Sequence, residues 1–248
     1  MKITTGRPAP YITAHAGCMD TLPNSRESIL AALASEADIV EVDVRASRDN
    51  VIILSHDDFL DLPNGKKPKV GDLDWQDMER PSPSSGSAIL RIEHFLDLAA
   101  QSGRNKILNL DIKESSALAR TASIIRSHKL EEAVVFSGLG REGIGIAQEQ
   151  LKGMTYFFNA DEMLPLSGIR EADMNAACSL ASEMGCRGIN LEWTRASASF
   201  VEYAQERGLV VMLWTVDTEA EMLTALSYRP DSLTTNYPDL LAQLMRQQ

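Results

Sequence analysis

The sequence predicts a (β/α)8 barrel, and three observations carry that expectation. Short apolar runs alternate with stretches of helical periodicity, giving eight strand–helix units once one extra run, Val51–Leu54, is set aside. The 248-residue length suits eight such units. Polar and charged residues gather at the C-terminal ends of the strand-like runs, the end at which barrel strands converge on one mouth. An open doubly wound sheet is the alternative. It would want a Gly-rich first turn, and His15-Ala16-Gly17 is not that fingerprint.

Taken in order, Tyr11–His15 reads as the first strand and Ser25–Ser35 as a helix, with Asn24 or Ser25 as its N-cap. Ile39–Val44 is the second strand, and Val51–Leu54 follows the Arg48-Asp49-Asn50 turn as a short extra one. Residues 61–88 are polar and rich in Pro, Gly and Ser, including Pro63, Asn64-Gly65, Pro81 and Pro83. They read as an excursion at the barrel mouth, with a short helix near Asp74–Glu79, too small for a second domain. The expected organisation is therefore a single domain, 1–248. Regular alternation resumes with a helix at Leu90–Gln101, a strand at Ile107–Ile112 and a helix at Ser116–His128. Strands follow at Ala133–Phe136, Met154–Phe158, Gly188–Trp193, Leu209–Val216 and Ser232–Thr235. Their helices are Glu142–Leu151, Ile169–Met184, Ala198–Arg207, Thr218–Ser227 and Pro238–Met245.

Composition narrows the function classes. A net charge of −11 argues against nucleic acid as a partner, because phosphate backbones call for stripes of Lys and Arg. The three cysteines, Cys18, Cys178 and Cys186, include no CxxC pair and suit a reducing compartment. The opening MKITTGRPAP has no apolar core of a signal peptide, and no apolar run approaches the ~18 residues that span a bilayer. A cytoplasmic location without a membrane span is expected; the sequence does not give the oligomeric state.

The anomaly is Glu41-Val42-Asp43 inside an apolar strand. Residues i and i+2 of a strand share a face, so the two carboxylates lie side by side, where they repel and are costly to desolvate. A hard divalent cation, Mg²⁺ or Ca²⁺, is the simplest remedy. Asn109, Asp111 and Lys113 end the third strand at the same spacing, Asn190 and Glu192 the sixth, Trp214 lies near the end of the seventh, and Thr235-Asn236 ends the eighth. His15 ends the first strand and His56 follows the extra run. Glu41, Asp43 and Asp111 can hold one cation. Lys113 and that cation suit a phosphate oxyanion, and His15 and His56 can move protons to and from a nucleophile and a leaving group. Zinc fits less well, since no His-x-Glu-x-His spacing occurs. The bland alternative is a set of inward ion pairs, such as Lys113 with Glu41.

These residues resemble the glycerophosphodiester phosphodiesterase family. Its pattern is His-Arg-Gly, Glu-Asn-Thr, Glu-x-Asp, His-Asp, Glu-x-Lys, Trp-Thr-Val and Thr-Asp-x-Pro. Here the matches are His15-Ala16-Gly17, Pro23-Asn24-Ser25, Glu41-Val42-Asp43, His56-Asp57, Asp111-Ile112-Lys113, Trp214-Thr215-Val216 and Thr235-Asn236-Tyr237-Pro238, in order along the chain. The resemblance implies a (β/α)8 barrel that hydrolyses a small-molecule glycerophosphodiester to sn-glycerol 3-phosphate and an alcohol, the glycerol 2-hydroxyl attacking phosphorus. It also implies metal at Glu41, Asp43 and Asp111, acid–base work by His15 and His56, and phosphate contact by Lys113. His15 is expected as base and His56 as acid, an order the residues alone do not fix.

Four positions depart from the pattern: Ala16 for Arg, Pro23 for Glu, Asp111 for Glu and Asn236 for Asp. Losing one charge-assisted hydrogen bond, about 1.5–3 kcal/mol, costs one to two decades in rate. A lost general acid or base costs about two to four decades. With both histidines present, Ala16 reads as altered substrate handling. Arg45, two residues past Asp43, is the best-placed replacement for the lost charge, ahead of Arg26 and Arg48. Trp214 and Glu192 are candidates for the substrate pocket. His94 and His128 read as surface or packing residues, and Cys18 has no neighbour in sequence to activate it. A phospholipase D-like or lyase activity on a lipid head group would need an apolar rim, and the loops show no clear apolar run. A barrel that binds phosphorylated ligands without turnover is the third reading.

Overall fold

A computed structural model describes residues 3–61, 65–78, 88–166 and 168–247. Its strands are β1 (Tyr11–Ala14), β2 (Ile39–Ala46), β3 (Ile52–Leu54), β4 (Ile107–Ile112), β5 (Val134–Leu139), β6 (Thr155–Asn159), β7 (Gly188–Glu192), β8 (Val210–Trp214) and β9 (Ser232–Thr235). The hydrogen-bonded order is β1-β9-β8-β7-β6-β5-β4-β2, and β1 pairs with β2 to close the ring. All of those pairings are parallel, so the barrel is the expected (β/α)8 fold. β3 stands outside the ring, antiparallel to the end of β2.

Among the described residues eight helices flank the strands: α1 (Arg26–Ala34), α3 (Ile92–Gln101), α4 (Leu118–Ser127), α5 (Arg141–Gln150), α6 (Glu171–Glu183), α7 (Ala198–Gln205), α8 (Glu219–Ser227) and α9 (Pro238–Met245). A ninth, α2 (Trp75–Met78), is a single turn in the excursion. Their starts are set locally. Ser25 caps α1 by accepting from the Ser28 N–H at 3.1 Å. Thr218 and Glu221 cap α8 reciprocally, and Pro238 opens α9 where its missing N–H is harmless. Among the described residues no helix is long and apolar enough to cross a membrane.

Alternation along each strand sorts the side chains. Outward residues such as Val40, Val42, Leu108 and Leu110 pack under the helices in the main core. Inward residues form layers. At the N-terminal end Tyr11, Ile39, Ile107, Val135, Phe157 and Val210 make an apolar plug with Ile3. Above it the inward positions turn polar: Thr13, Glu41, Asn109, Ser137 and Asn190 are all buried. The barrel is thus sealed below and polar above, which leaves its C-terminal mouth for chemistry.

The excursion packs against β3, where Val70 and Met78 join Ile53 in a small separate core. Arg48 forks onto Asp74 at 2.9 and 2.7 Å. Pro63, Asn64, Glu79, Pro81 and Pro83 lie outside the described residues.

Candidate active site

The two carboxylates of β2 point into the mouth, as their spacing requires. Glu41 and Asp43 are 5% and 2% exposed. Glu41 Oε2 accepts the Ala16 N–H at 2.7 Å. Asp43 Oδ2 accepts from Asn24 Nδ2 at 2.7 Å, and the Asp43 N–H donates to Asn24 Oδ1 at 2.9 Å. Parallel register sets Asp111 of β4 beside Asp43, and Asn109 beside Glu41. Ser137 donates to Asp111 Oδ2 at 3.0 Å. Gly138, at φ +76°, lets β5 approach, because a Cβ there would collide with the Asp111 carboxylate and the Ile112 carbonyl.

Lys113 stands between the carboxylates. Its Nζ is 2.8 Å from Asp43 Oδ1 and 3.0 Å from Asp111 Oδ1. The bland expectation of an inward ion pair is therefore realised in part, with Asp43 and Asp111 as partners. Burial opposes the ammonium charge, but Asp111, Asp43 and Glu41 outweigh it and raise the Lys113 pKa. Glu41 shows the converse strain. Burial, then Asp43 and Asp111, push its pKa well above the usual carboxylate range, against the pull of the Ala16 N–H and Lys113.

The donor set fits a hard cation. Three carboxylates crowd one wall, and Asn109 Oδ1 is buried without a hydrogen-bond partner among the described residues. The side chains do not stand as a finished ligand cage: among the described residues no group of three or more His, Cys, Asp or Glu is arranged to hold a metal. The ammonium of Lys113 is the cation now lying between Asp43 and Asp111.

His15 and His56 face the same space. Both line the mouth cavity of about 290 Å³, together with Glu41, Asn109, Asp111 and Lys113. Asn159, Asn190, Trp214 and Thr215 complete its far wall. The Trp214 Nε1–H is buried there without a partner among the described residues. His15 Nδ1 is 3.1 Å from Asn236 Oδ1. Asn236 is itself fixed by Asp217, which accepts its N–H and its Nδ2, both at 2.7 Å. His56 Nδ1 lies 2.9 Å from Asp57 Oδ1, with the imidazole 61% exposed.

Two expected substrate residues stand elsewhere. Arg45 gives its Nε and Nη2 to the His56 carbonyl at 3.1 and 3.0 Å, and its Nη1 faces Asp58 and Glu114 at 3.6 and 3.7 Å. It holds the His56 loop and is not among the residues lining either cavity. Glu192 accepts from Arg195 at 3.1 Å, in a cluster with Asp161, and is not among the residues lining the mouth cavity. Arg48 is taken by Asp74, and Arg26 is exposed on α1. Cys18 is fully buried. Burial, Asp239 and Glu41 push its pKa up to about 11, so it is an inert thiol.

The sequence reading missed Asn159, because the apolar run of β6 stops one residue short of it. It missed the Asp217–Asn236 pair, whose members belong to separate strand ends. It also missed a second cavity of about 600 Å³, which opens from His15 and His56 and is lined by apolar side chains from three separate segments together with Asp43, Asp57 and Asp61.

The glycerophosphoryl diester phosphodiesterase family model matches residues 15–240. A glycerophosphodiester phosphodiesterase of Arabidopsis thaliana is 26% identical over 95% of this chain and 73% of its own. A lysophospholipase D of Homo sapiens is 19% identical over 91% of this chain and 81% of its own. Among solved structures, an Oleispira antarctica phosphodiesterase in complex with the product sn-glycerol-3-phosphate superposes with a TM-score of 0.78 at 17% identity, covering 97% of this chain and 98% of its own.

Proposed function

The chain belongs to the glycerophosphoryl diester phosphodiesterase family and is a phosphoric diester hydrolase, and from that premise we propose its specific reaction. It cleaves a glycerophosphodiester to sn-glycerol 3-phosphate and an alcohol, with His15 as base and His56 as acid. The observation that carries this reading is that the two imidazoles line the same cavity as Glu41, Asp111 and Lys113.

Hydrogen bonding supports the division of labour. Asn236 spends its NH2 on Asp217, so its carbonyl oxygen faces His15. His15 Nδ1 must then carry the proton, and Nε2 is left with a lone pair to take one from the attacking hydroxyl. His56 also donates from Nδ1, but to a carboxylate, a partner compatible with a doubly protonated ring. Its Nε2–H goes to the departing alcohol as the P–O bond breaks. The 2-hydroxyl's attack leaves a cyclic phosphodiester; water then forms a new P–O bond as the bond to glycerol O2 breaks, His56 taking the water proton and His15 returning one to O2. Lys113 lies at the cavity wall as a cation for the phosphate, and Asn109 Oδ1 and Trp214 Nε1–H are free to meet substrate hydroxyls.

Glu41, Asp43 and Asp111 would hold the divalent cation, Mg²⁺ or Ca²⁺, which when bound supplies Lewis-acid stabilisation of the phosphate oxyanion. The whole chain acts as one catalytic domain in this reading. Three free, buried cysteines suit a cytoplasmic site of action. The test is release of glycerol 3-phosphate from sn-glycero-3-phosphocholine with Mg²⁺, Ca²⁺ or chelator. Chelator-sensitive turnover that disappears in His15→Ala and His56→Ala is expected. Tight phosphate binding without turnover under any cation would replace the reading with a binding barrel.

A further inference from the structure

We propose that the cavity of about 600 Å³ beside the mouth is a second subsite, which receives the hydrocarbon chain of an apolar alcohol esterified to the substrate phosphate. This rests on the phosphodiesterase reading above and adds to it the class of alcohol released. The two cavities share His15 and His56, so a phosphodiester whose phosphate lies between the imidazoles extends from one into the other.

Their linings differ in kind. The mouth offers amides, carboxylates, Lys113 and Thr215, partners for a glyceryl group. The annex offers Leu22, Pro23, Leu54, Phe59, Leu60 and Ile89, with the small Ala16 at its junction with His15, and carries the carboxylates of Asp43, Asp57 and Asp61 on the same lining. Among the described residues no Lys or Arg lines it, and beyond the two histidines its charged groups are carboxylates, so an anionic alcohol gains nothing there. Its size matches sites for drug-sized bodies, well beyond a choline or ethanolamine head. Leu22 and Phe59 stand on its lip at 44% and 52% exposure, so a hydrocarbon chain entering there covers apolar surface that otherwise faces water. His56, the residue that protonates the departing alcohol, lies on the same chain segment as Phe59 and Leu60. The leaving alcohol is therefore the half of the substrate that enters the annex.

The test is a series of sn-glycero-3-phospho-n-alkanols, from methyl to octyl, assayed as monomers. In the wild type kcat/KM rises with chain length, by up to about fourfold per methylene, the factor for burying one CH2 group. Phe59→Ser and Leu22→Ser, both on the exposed lip, flatten that slope, and Ala16→Arg truncates it. A flat wild-type slope, a slope that both lip variants preserve, or a choline ester preferred to the octyl ester overturns the proposal. So does faster turnover of a glycerophosphocholine carrying the octyl chain on its glycerol. Should no ester be hydrolysed, the reaction assignment fails but the subsite is still read by calorimetry. Octyl ester binding tighter than methyl ester binding, lost in Phe59→Ser, supports it, and equal affinities overturn it.

Discussion

His15 and His56 open onto the same cavities but are held in opposite ways. His15 follows directly from the barrel wall. Its N–H donates to the Thr235 carbonyl at 3.0 Å, and its ring meets Asn236, which two further bonds tie to Asp217. His56 stands beyond a three-residue outer strand, with most of its ring in solvent, and its backbone is fixed by one guanidinium fork from Arg45. One imidazole is positioned by the frame, the other by a side chain reaching out from the frame. Damage to the second should therefore separate from damage to the fold.

The largest expected effect tests what the two have in common. His15→Ala and His56→Ala should each lower kcat by about 10²–10⁴. The unfolding midpoint should move for His15→Ala, which strands Asn236, and hardly at all for His56→Ala. Equal midpoints would erase the distinction. Arg45→Met should cost about one to two decades in kcat/KM, the weight of a charge-assisted hydrogen bond, with little thermal effect. Arg45→Lys keeps the charge without the fork and should recover only part. An unchanged rate in Arg45→Met would show that the His56 loop holds itself.

Asn236→Leu is the matching lesion on the other side. It leaves Asp217 without its amide partner, so a loss of about 1–3 kcal/mol in stability should accompany a lower kcat. Gly138→Ala combines a strained positive φ with a collision against Asp111. A stability loss of about 1–3 kcal/mol and weaker cation dependence are expected, read by melting and by metal titration. The smallest effect concerns the thiols. Burial pushes Cys18 and Cys178 up to about 11 and Cys186 to about 12, so all three remain protonated thiols at pH 8. A thiol reagent should react with the native protein only as fast as it unfolds.

The frame was more legible in the sequence than the site. Ile107–Ile112, Ser232–Thr235 and Pro238–Met245 have the bounds that their patterns indicate, because apolar periodicity and Pro at a helix start are local signals. β5 runs on to Leu139, past the expected end at Phe136, because Ser137, which turns inward to Asp111, and Gly138 interrupt the apolar run. At the mouth, strand spacing alone set Glu41 beside Asp43 and Asp111 beside Lys113. It could not show that Arg45, on the same face, reaches past the cavity to a carbonyl. Nor could it show an apolar rim, since Leu22, Phe59 and Ile89 come from segments that look like ordinary polar loops. Periodicity records neighbours along one element, whereas a cavity wall is written across several.

The bond between Ala16 and Glu41 has a consequence for how such a site diversifies. The peptide N–H, not the side chain, anchors the carboxylate. Every residue but proline carries that N–H, and because Ala16 is itself buried at the cavity edge, a larger side chain there has to take its room from the cavity. Position 16 thus acts as a tuning point: evolution or a designer can redraw what the entrance admits with one uncharged substitution, while the peptide bond to Glu41 is kept as a hydrogen bond.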